Sequence, residues 1–338
     1  MTTLPAPRVP PLRGGPVLRW GVLAPGEIAN DFVSTLHANT DQRVHAVASR
    51  TAQRAVEFAT RHGIPRSYGS YAELVADADI DVVYIASPHS EHRSMALLAI
   101  AAGKHVLVEK PIALTAEEAG EITAAARAAG VFAMEAMWSR YLPQADVIAQ
   151  LLEQKALGEV SLVTAVLGWR WPFDATSRGF DPALGGGAML DAGVYSLWFS
   201  QFVLGEPRSI SAVGNLAPTG VDSDSVVAMQ AVSGALSAVT TSIVADTPVL
   251  AAIYGTEGSI QFDSAFVFPA SFRMITKECE LTFTDDSGLT GRDGLAWQAV
   301  ALAQYVTDGL TESPLHSLDD SIALMRTIDE VRRQVGAI

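Results

Sequence analysis

The chain has 338 residues, 49% apolar and 18% charged, with a formal net charge of −14; that is long enough for two cores and too apolar for a disordered chain. The acidic balance argues against nucleic acid as a partner, since counterion release needs clustered Lys and Arg. No apolar run reaches the length of a membrane span, and the lone Cys279 excludes an internal disulfide framework and fits a reducing, cytoplasmic setting.

Residues 1–16 hold Pro5, Pro7, Pro10, Pro11 and Pro16 without an apolar signal core, so they read as a frayed extension. From 17 onward, strand and helix patterns alternate. A strand over Val17–Ala24 turns at Pro25-Gly26 into a helix from Glu27. A strand over Arg43–Ser49 leads to a helix over Ala52–His62, and a short strand at Ser67-Tyr68 leads to a helix from Tyr71. The apolar run Asp81–Ala86 reads as a buried strand, followed by a helix over Glu91–Ala102. Then come a strand at His105–Val108, a helix over Ala116–Ala129 and a strand at Val131–Glu135. This alternation predicts βαβ units and a doubly wound parallel sheet covered on both faces, a Rossmann domain over 17–136.

Beyond it the plan changes. A helix at Gln144–Gln154 precedes stretches rich in Ser, Thr and Val with strand character: Val160–Trp171, Arg208–Asn215, Ser225–Ser233, Ala235–Ala245, Val249–Tyr254, Ser259–Phe262 and Ser271–Thr284. Helices at Leu295–Asp308 and Leu318–Gln334 close the chain. The expectation is an α+β domain over 137–316, with a large open, mostly antiparallel sheet that binds substrate and carries a homo-oligomer surface. A C-terminal helix over 317–338 is expected to pack back between the domains.

Three stretches carry chemistry. The turn Ala24-Pro25-Gly26-Glu27-Ile28-Ala29 stands where a dinucleotide fingerprint G-x-G-x-x-G/A is expected. Gly26 and Ala29 fit its second and third places, and Ala24 replaces the first glycine. The second strand ends Ala48-Ser49-Arg50-Thr51, with no acid to accept from a ribose 2′-hydroxyl. Ser49, Arg50 and Thr51 suit a 2′-phosphate, which predicts NADP(H) over NAD(H). The run Gly103–Pro111 ends an apolar strand in Glu109, Lys110 and Pro111. A lysine there is, taken alone, a solvated charge at a strand exit. Gly185-Gly186-Gly187 then leads into a helical pattern that places Asp191 and Tyr195 four apart. Taken alone, these two fit a first-turn carboxylate and a packed phenol as readily as a catalytic pair.

Ala86-Ser87-Pro88-His89-x-x-His92, the Lys110 run, and Gly185-Gly186-Gly187-x-x-x-Asp191-x-Gly193-x-Tyr195 together resemble the Gfo/Idh/MocA oxidoreductases from Leu18 to Gly336. Glu135 to Pro143 (EAMWSRYLP) and Tyr at 195 resemble the branch that includes trans-dihydrodiol dehydrogenases and glucose–fructose oxidoreductase. The resemblance implies a nicotinamide cofactor held by Ala24, Gly26, Glu27, Ile28, Ser49, Arg50, Ser87, Pro88, His89, Glu109 and Lys110. It implies catalysis by Tyr195 as acid/base with Lys110 as its electrostatic partner and Asp191 orienting Lys110 or substrate, on a sugar, polyol or cyclic diol. Trp138, Arg140, Trp171 and Arg178, with Trp169, are expected to wall the substrate pocket, while His92 is expected to cap the following helix. No His, Cys and carboxylate set has metal-site spacing. Two other functions fit the same fold: a non-catalytic dinucleotide-binding regulator, and a glycoside-cleaving enzyme with tightly held NAD.

Overall fold

A computed structural model describes residues 3–337. The chain divides into two compact units: Val9–Tyr141 with Thr290–Ile322, and Leu142–Leu289 with Met1–Arg8 and Ala323–Ile338.

In the first unit, strands β1 (Arg19–Leu23), β2 (Arg43–Ala48), β3 (Arg66–Tyr68), β4 (Val82–Ile85), β5 (His105–Glu109) and β6 (Ala133–Ala136) alternate with helices. These are α1 (Glu27–Asn39), α2 (Ala52–His62), α3 (Tyr71–Val75), α4 (His92–Ala101) and α5 (Ala116–Ala129). All strand pairs are parallel, in the order β3-β2-β1-β4-β5-β6. The order reverses between β1 and β4, the switch point where such sheets bind ligands outside the strand carboxyl ends. Every residue of β4 is fully buried or nearly so, as a central parallel strand covered on both faces requires.

Helix boundaries follow local chemistry. Ser70 and Glu73 form a reciprocal capping box at α3, and Thr115 Oγ1 accepts from Glu118 N–H at 3.2 Å at the start of α5, each cap contributing about 1 kcal/mol. Gly63 and Gly130, both at φ 65°, end α2 and α5 in the left-handed conformation that suits glycine.

The second unit holds α6 (Pro143–Glu153), α7 (Val194–Leu204) and eight strands: β7 (Val160–Gly168), β8 (Pro207–Leu216), β9 (Asp222–Ala231), β10 (Leu236–Ser242), β11 (Leu250–Gly255), β12 (Gly258–Phe262), β13 (Phe272–Thr276) and β14 (Glu280–Phe283). They form one open sheet, β14-β13-β12-β11-β7-β10-β9-β8, antiparallel except for the β7–β10 pair. Helix α7 packs on β7, β10 and β11. Helices α8 (Leu295–Thr307) and α9 (Leu318–Val335) complete the chain.

Several expectations need correction. Ser271–Thr284 is a hairpin and not one strand. Thr276 N–H donates to the Cys279 carbonyl at 2.9 Å, and Thr276 Oγ1 accepts from Glu278 and Cys279 N–H, closing a turn at Lys277-Glu278. β7 stops at Gly168, and the Trp169 and Trp171 N–H groups run on to the Ser242 and Ile243 carbonyls outside a regular ladder. The first turns after Ala188 form a π-turn, Met189–Gly193, before α7 begins, so α-helical spacing does not describe the Asp191–Tyr195 interval. Helix α8 packs on α1 in the first unit, where Ala133 N–H donates to the Thr311 carbonyl. Residues expected to fray are hydrogen-bonded: Arg8 to Asp146, Gln150 to the Ala6 carbonyl, Arg13 to Asp41 and the Ala38 carbonyl.

Candidate active site

The dinucleotide turn follows β1. Ala24 adopts φ 61°, the left-handed region where an L-residue is strained and glycine is not, so its backbone holds the shape that the missing glycine would give. Gly26 caps α1 at φ −109°, and a Cβ there would meet nothing closer than the Ala24 carbonyl oxygen at 3.9 Å. The fold itself does not demand glycine at 26, and the space beside it is open to close approach of a ligand. Ala29 is fully buried against the sheet. Beside the turn lies a cavity of about 420 Å³ lined by Gly26, Asn30, Arg54, Phe58 and Arg61, among others. Arg54, in the first turn of α2, lines this cavity without belonging to any of the sequence motifs, although its place four residues past Arg50 on a helix start is a usable signal.

At the other strand ends, Ser49 is buried after β2 and Arg50 is exposed. Ser87, after β4, is buried, and its Oγ has no hydrogen-bond partner among the described residues. An orphaned hydroxyl at the switch point, next to an open glycine turn, fits a bound dinucleotide. Pro88 and His89 follow it into a short 3-10 turn.

The Lys110 segment is held from below. Glu109, buried at the end of β5, accepts from Tyr84 Oη at 2.5 Å and from Lys110 N–H at 3.2 Å; burial pushes its pKa up. Glu135, on β6, accepts from Ile112 N–H at 3.0 Å and from His316 Nε2 at 2.9 Å. His92 corrects an expectation, for it does not cap α4. Its Nδ1 lies 2.8 Å from the Pro111 carbonyl and its Nε2 3.0 Å from the Ser87 carbonyl, so it ties the β4 exit to the β5 exit. Carbonyls only accept, so both contacts are donated only by the imidazolium. Burial lowers the His92 pKa, which leaves one contact unfulfilled in the neutral ring.

Burial alone would raise the Glu135 pKa, but His316, Ser321 and the Ile112 N–H outweigh it and leave it below the ordinary 4.5. A carboxyl whose folded pKa is depressed contributes stability above its unfolded pKa, lost as pH falls through the folded one. Unfolding free energy is therefore expected to fall on acidification below pH 4.5. Glu135→Gln, measured by urea unfolding, should cost about 1.5–3 kcal/mol at neutral pH and flatten that acid limb.

In the second unit the glycine run is shaped by backbone. A Cβ on Gly186 would lie 2.9 Å from the Asp181 and Gly179 carbonyl oxygens. One on Gly187, at φ 122°, would lie 2.3 Å from Asp222 Oδ1. Asp222 Oδ2 accepts from Met189 N–H at 2.6 Å, so a buried carboxylate caps the π-turn that carries Asp191 and leads into Tyr195; burial raises its pKa. Asp191 and Tyr195 are both buried. Arg178 donates to Asp191 Oδ1 at 2.8 Å and lies 4.9 Å above the Trp171 ring. Asp191, Arg178 and Trp171 thus come together as one group. Trp138 and Arg140 are buried in a 3-10 turn after β6, where Arg140 Nε donates to the Leu315 carbonyl. Asp222 and His316 lie far in sequence from the groups they hold, and no local pattern announces them.

This sheet order, the turn after β1 and the orphaned Ser87 hydroxyl define a dinucleotide-binding Rossmann protein. Residues 18–137 match the family described as "Oxidoreductase family, NAD-binding Rossmann fold", and residues 146–261 match the GFO/IDH/MocA C-terminal domain. The chain belongs to the Gfo/Idh/MocA oxidoreductase family. It is 38% identical to trans-1,2-dihydrobenzene-1,2-diol dehydrogenase of Xenopus laevis over 95% of this chain and 98% of that one. The Homo sapiens protein of the same name is 34% identical over 94% and 97%. Among solved structures, KijD10, a 3-ketoreductase from Actinomadura kijaniata in complex with NADP and TDP-benzene, superposes with a TM-score of 0.82 at 26% identity, over 96% of this chain and 98% of that one. Levoglucosan dehydrogenase in complex with NADH and levoglucosan shares the fold, with a TM-score of 0.84 at 22% identity over 94% and 97%. Among the described residues, no helix is long and apolar enough to cross a membrane.

Proposed function

We propose that this chain is an NADP(H)-dependent dehydrogenase/reductase acting on the CH–OH carbon of a cyclic trans-diol, sugar or polyol. The observation that carries the reading is how the chain fixes Lys110: buried Glu109, Glu135 and His92 grip the backbone of the Lys110-Pro111-Ile112 turn at the carboxyl end of β5. A surface lysine needs no such support. The substrate class rests on the diol dehydrogenases that match nearly the whole chain.

The cofactor, when bound, supplies or receives the hydride. Ala24 and Gly26 at the α1 terminus, with Ser87, Pro88 and His89 at the β4 exit, would hold it. Tyr195 Oη gives or takes the alcohol proton. A free phenol titrates near pH 10, and the Lys110 ammonium favours its phenolate while drawing charge onto the carbonyl oxygen. Asp191, fixed by Arg178, is the candidate to orient Lys110 or a substrate hydroxyl, and Trp138, Arg140, Trp171 and Arg178 are the candidate substrate contacts.

NADP(H) preference is supported by the missing acid after β2 and by Arg50 and Arg54 at the start of α2. Arg54→Gln is expected to raise KM for NADP(H) by about 10- to 100-fold, the loss of one charge-assisted contact. The KM for NAD(H) should stay within about threefold, as initial rates with both cofactors would show. An equal loss for both would contradict the assignment.

A homo-oligomer through the second sheet is supported by a row of same-facing residues across five strands, Val213, Val226, Thr240, Val166 and Leu250. Val213 is 68% and Val226 53% exposed. Sedimentation should find an oligomer that Val226→Asp dissociates; an already monomeric wild-type chain would contradict it.

The function is tested by screening trans-dihydrodiols, sugars and polyols for a change in nicotinamide absorbance. Stoichiometric turnover of free NADP(H) supports the proposal. Glycoside cleavage without net cofactor turnover, or binding without turnover, would overturn it.

A further inference from the structure

Arg292 lies in the 3-10 turn Gly291–Gly294 just before α8, 265 residues from Glu27. Its Nη1 donates to Glu27 Oε1 at 3.1 Å and to Asp31 Oδ2 at 2.5 Å. One further turn along α1, Thr35 Oγ1 donates to the Asp293 carbonyl at 2.9 Å. Residues 27, 31 and 35 are spaced by four, so the segment is laid along one face of α1. Glu27 is the first residue of α1, directly after Gly26, and it lines the cavity beside the turn.

The placement poses an electrostatic problem. The N-terminus of α1 is the positive helix end that receives the dinucleotide phosphates. Two carboxylates on its first two turns oppose an anion there. Arg292 is a cation that meets both. Exposed ion pairs of this kind contribute little to folding, and Arg292 is 46% and Glu27 85% exposed.

We propose that Arg292 is a positioning residue of the dinucleotide site: by clasping Glu27 and Asp31 it cancels their charge and leaves the α1 terminus open to the pyrophosphate. The inference rests on the dinucleotide-binding reading of this turn. The pyrophosphate is common to NADP(H) and NAD(H), so the effect is the same for both and distinct from that of Arg54.

The test is a fluorescence titration of the full chain with NADPH and with NADH, for wild type, R292Q, D31N and the double variant D31N/R292Q. R292Q is expected to raise both Kd values about tenfold at low ionic strength, with the deficit shrinking as salt screens the carboxylates. D31N should bind as tightly as wild type or more so, and the double variant D31N/R292Q should recover at least about threefold of the R292Q deficit. Thermal unfolding of the apo forms should stay close to wild type throughout. R292Q binding within about twofold of wild type would overturn the proposal. So would a D31N/R292Q variant as weak as R292Q, since Arg292 would then act by touching the cofactor or by holding the turn. Wild-type binding in the same titration keeps these results separate from a failure to bind dinucleotide at all.

Discussion

Tyr195→Phe is expected to lower kcat by about 10²- to 10⁴-fold, the range for losing a positioned acid–base group, while KM for NADP(H) stays within about threefold. Phenylalanine keeps the ring in a site that is 6% exposed at the start of α7, so packing is retained and only the hydroxyl is lost. On the proposed assignment the substitution removes the group that moves the proton and leaves the groups that hold the cofactor in place. A loss confined to kcat separates chemistry from folding. Circular dichroism and thermal unfolding close to wild type would accompany it. If Tyr195→Phe instead raises KM alone, Tyr195 binds substrate and moves no proton.

Lys110→Met is the second large effect. Methionine keeps length and apolar stem but removes the ammonium, and kcat is expected to fall by about 10²- to 10³-fold, as for a lost electrostatic donor at a reacting oxygen. The pH profile gives a sharper signature. An ammonium near a phenol favours the phenolate, so removing it raises the phenol pKa toward its free value near 10. In the oxidation direction, residual activity should therefore rise at higher pH in Lys110→Met than in wild type. Added alkylamines that restore part of the rate would support the same assignment. An unshifted profile would mean that Lys110 does not tune the proton donor.

Much of this architecture is legible in the sequence. The limits of α2 and α5 are set by residues with known terminal preferences, Thr51 and Thr115 before them and Gly63 and Gly130 after them. The doubly wound sheet follows from strands that alternate with amphipathic helices. What resists reading depends on partners distant in sequence. Period-two alternation runs through Ser271–Thr284 without marking the turn at Lys277-Glu278, because neither residue is a usual turn former. The π-turn at Met189–Gly193 has no spacing signal; Asp222 at its start and Thr241 against Gly193 accompany it, and both come from the sheet. The glycine run is visible, but its close approach is to backbone and the Asp222 carboxylate.

The candidate site divides in the same way. Motif residues such as Lys110, Asp191 and Tyr195 carry recognisable spacing. The groups that hold them do not. His316 reaches Glu135, which holds the Lys110 turn, across 181 residues, and Asp222 reaches Met189, at the start of the turn that carries Asp191, across 33. A buried carboxylate such as Glu135 is conspicuous only once burial is known, since the same residue on an exposed strand end would be unremarkable.

In the proposed function Tyr195 moves the alcohol proton, with Lys110 as its electrostatic partner, beside a nicotinamide hydride acceptor. The most direct measurement is a solvent and substrate isotope-effect comparison under saturating NADP⁺ with a trans-dihydrodiol, in wild type and Tyr195→Phe. The wild-type enzyme should show NADPH formation with a primary effect from deuterium at the oxidised carbon, and Tyr195→Phe should retain cofactor binding while losing at least about a hundredfold in rate. Full turnover by Tyr195→Phe, with unchanged isotope effects, would rule out Tyr195 as the proton donor and acceptor.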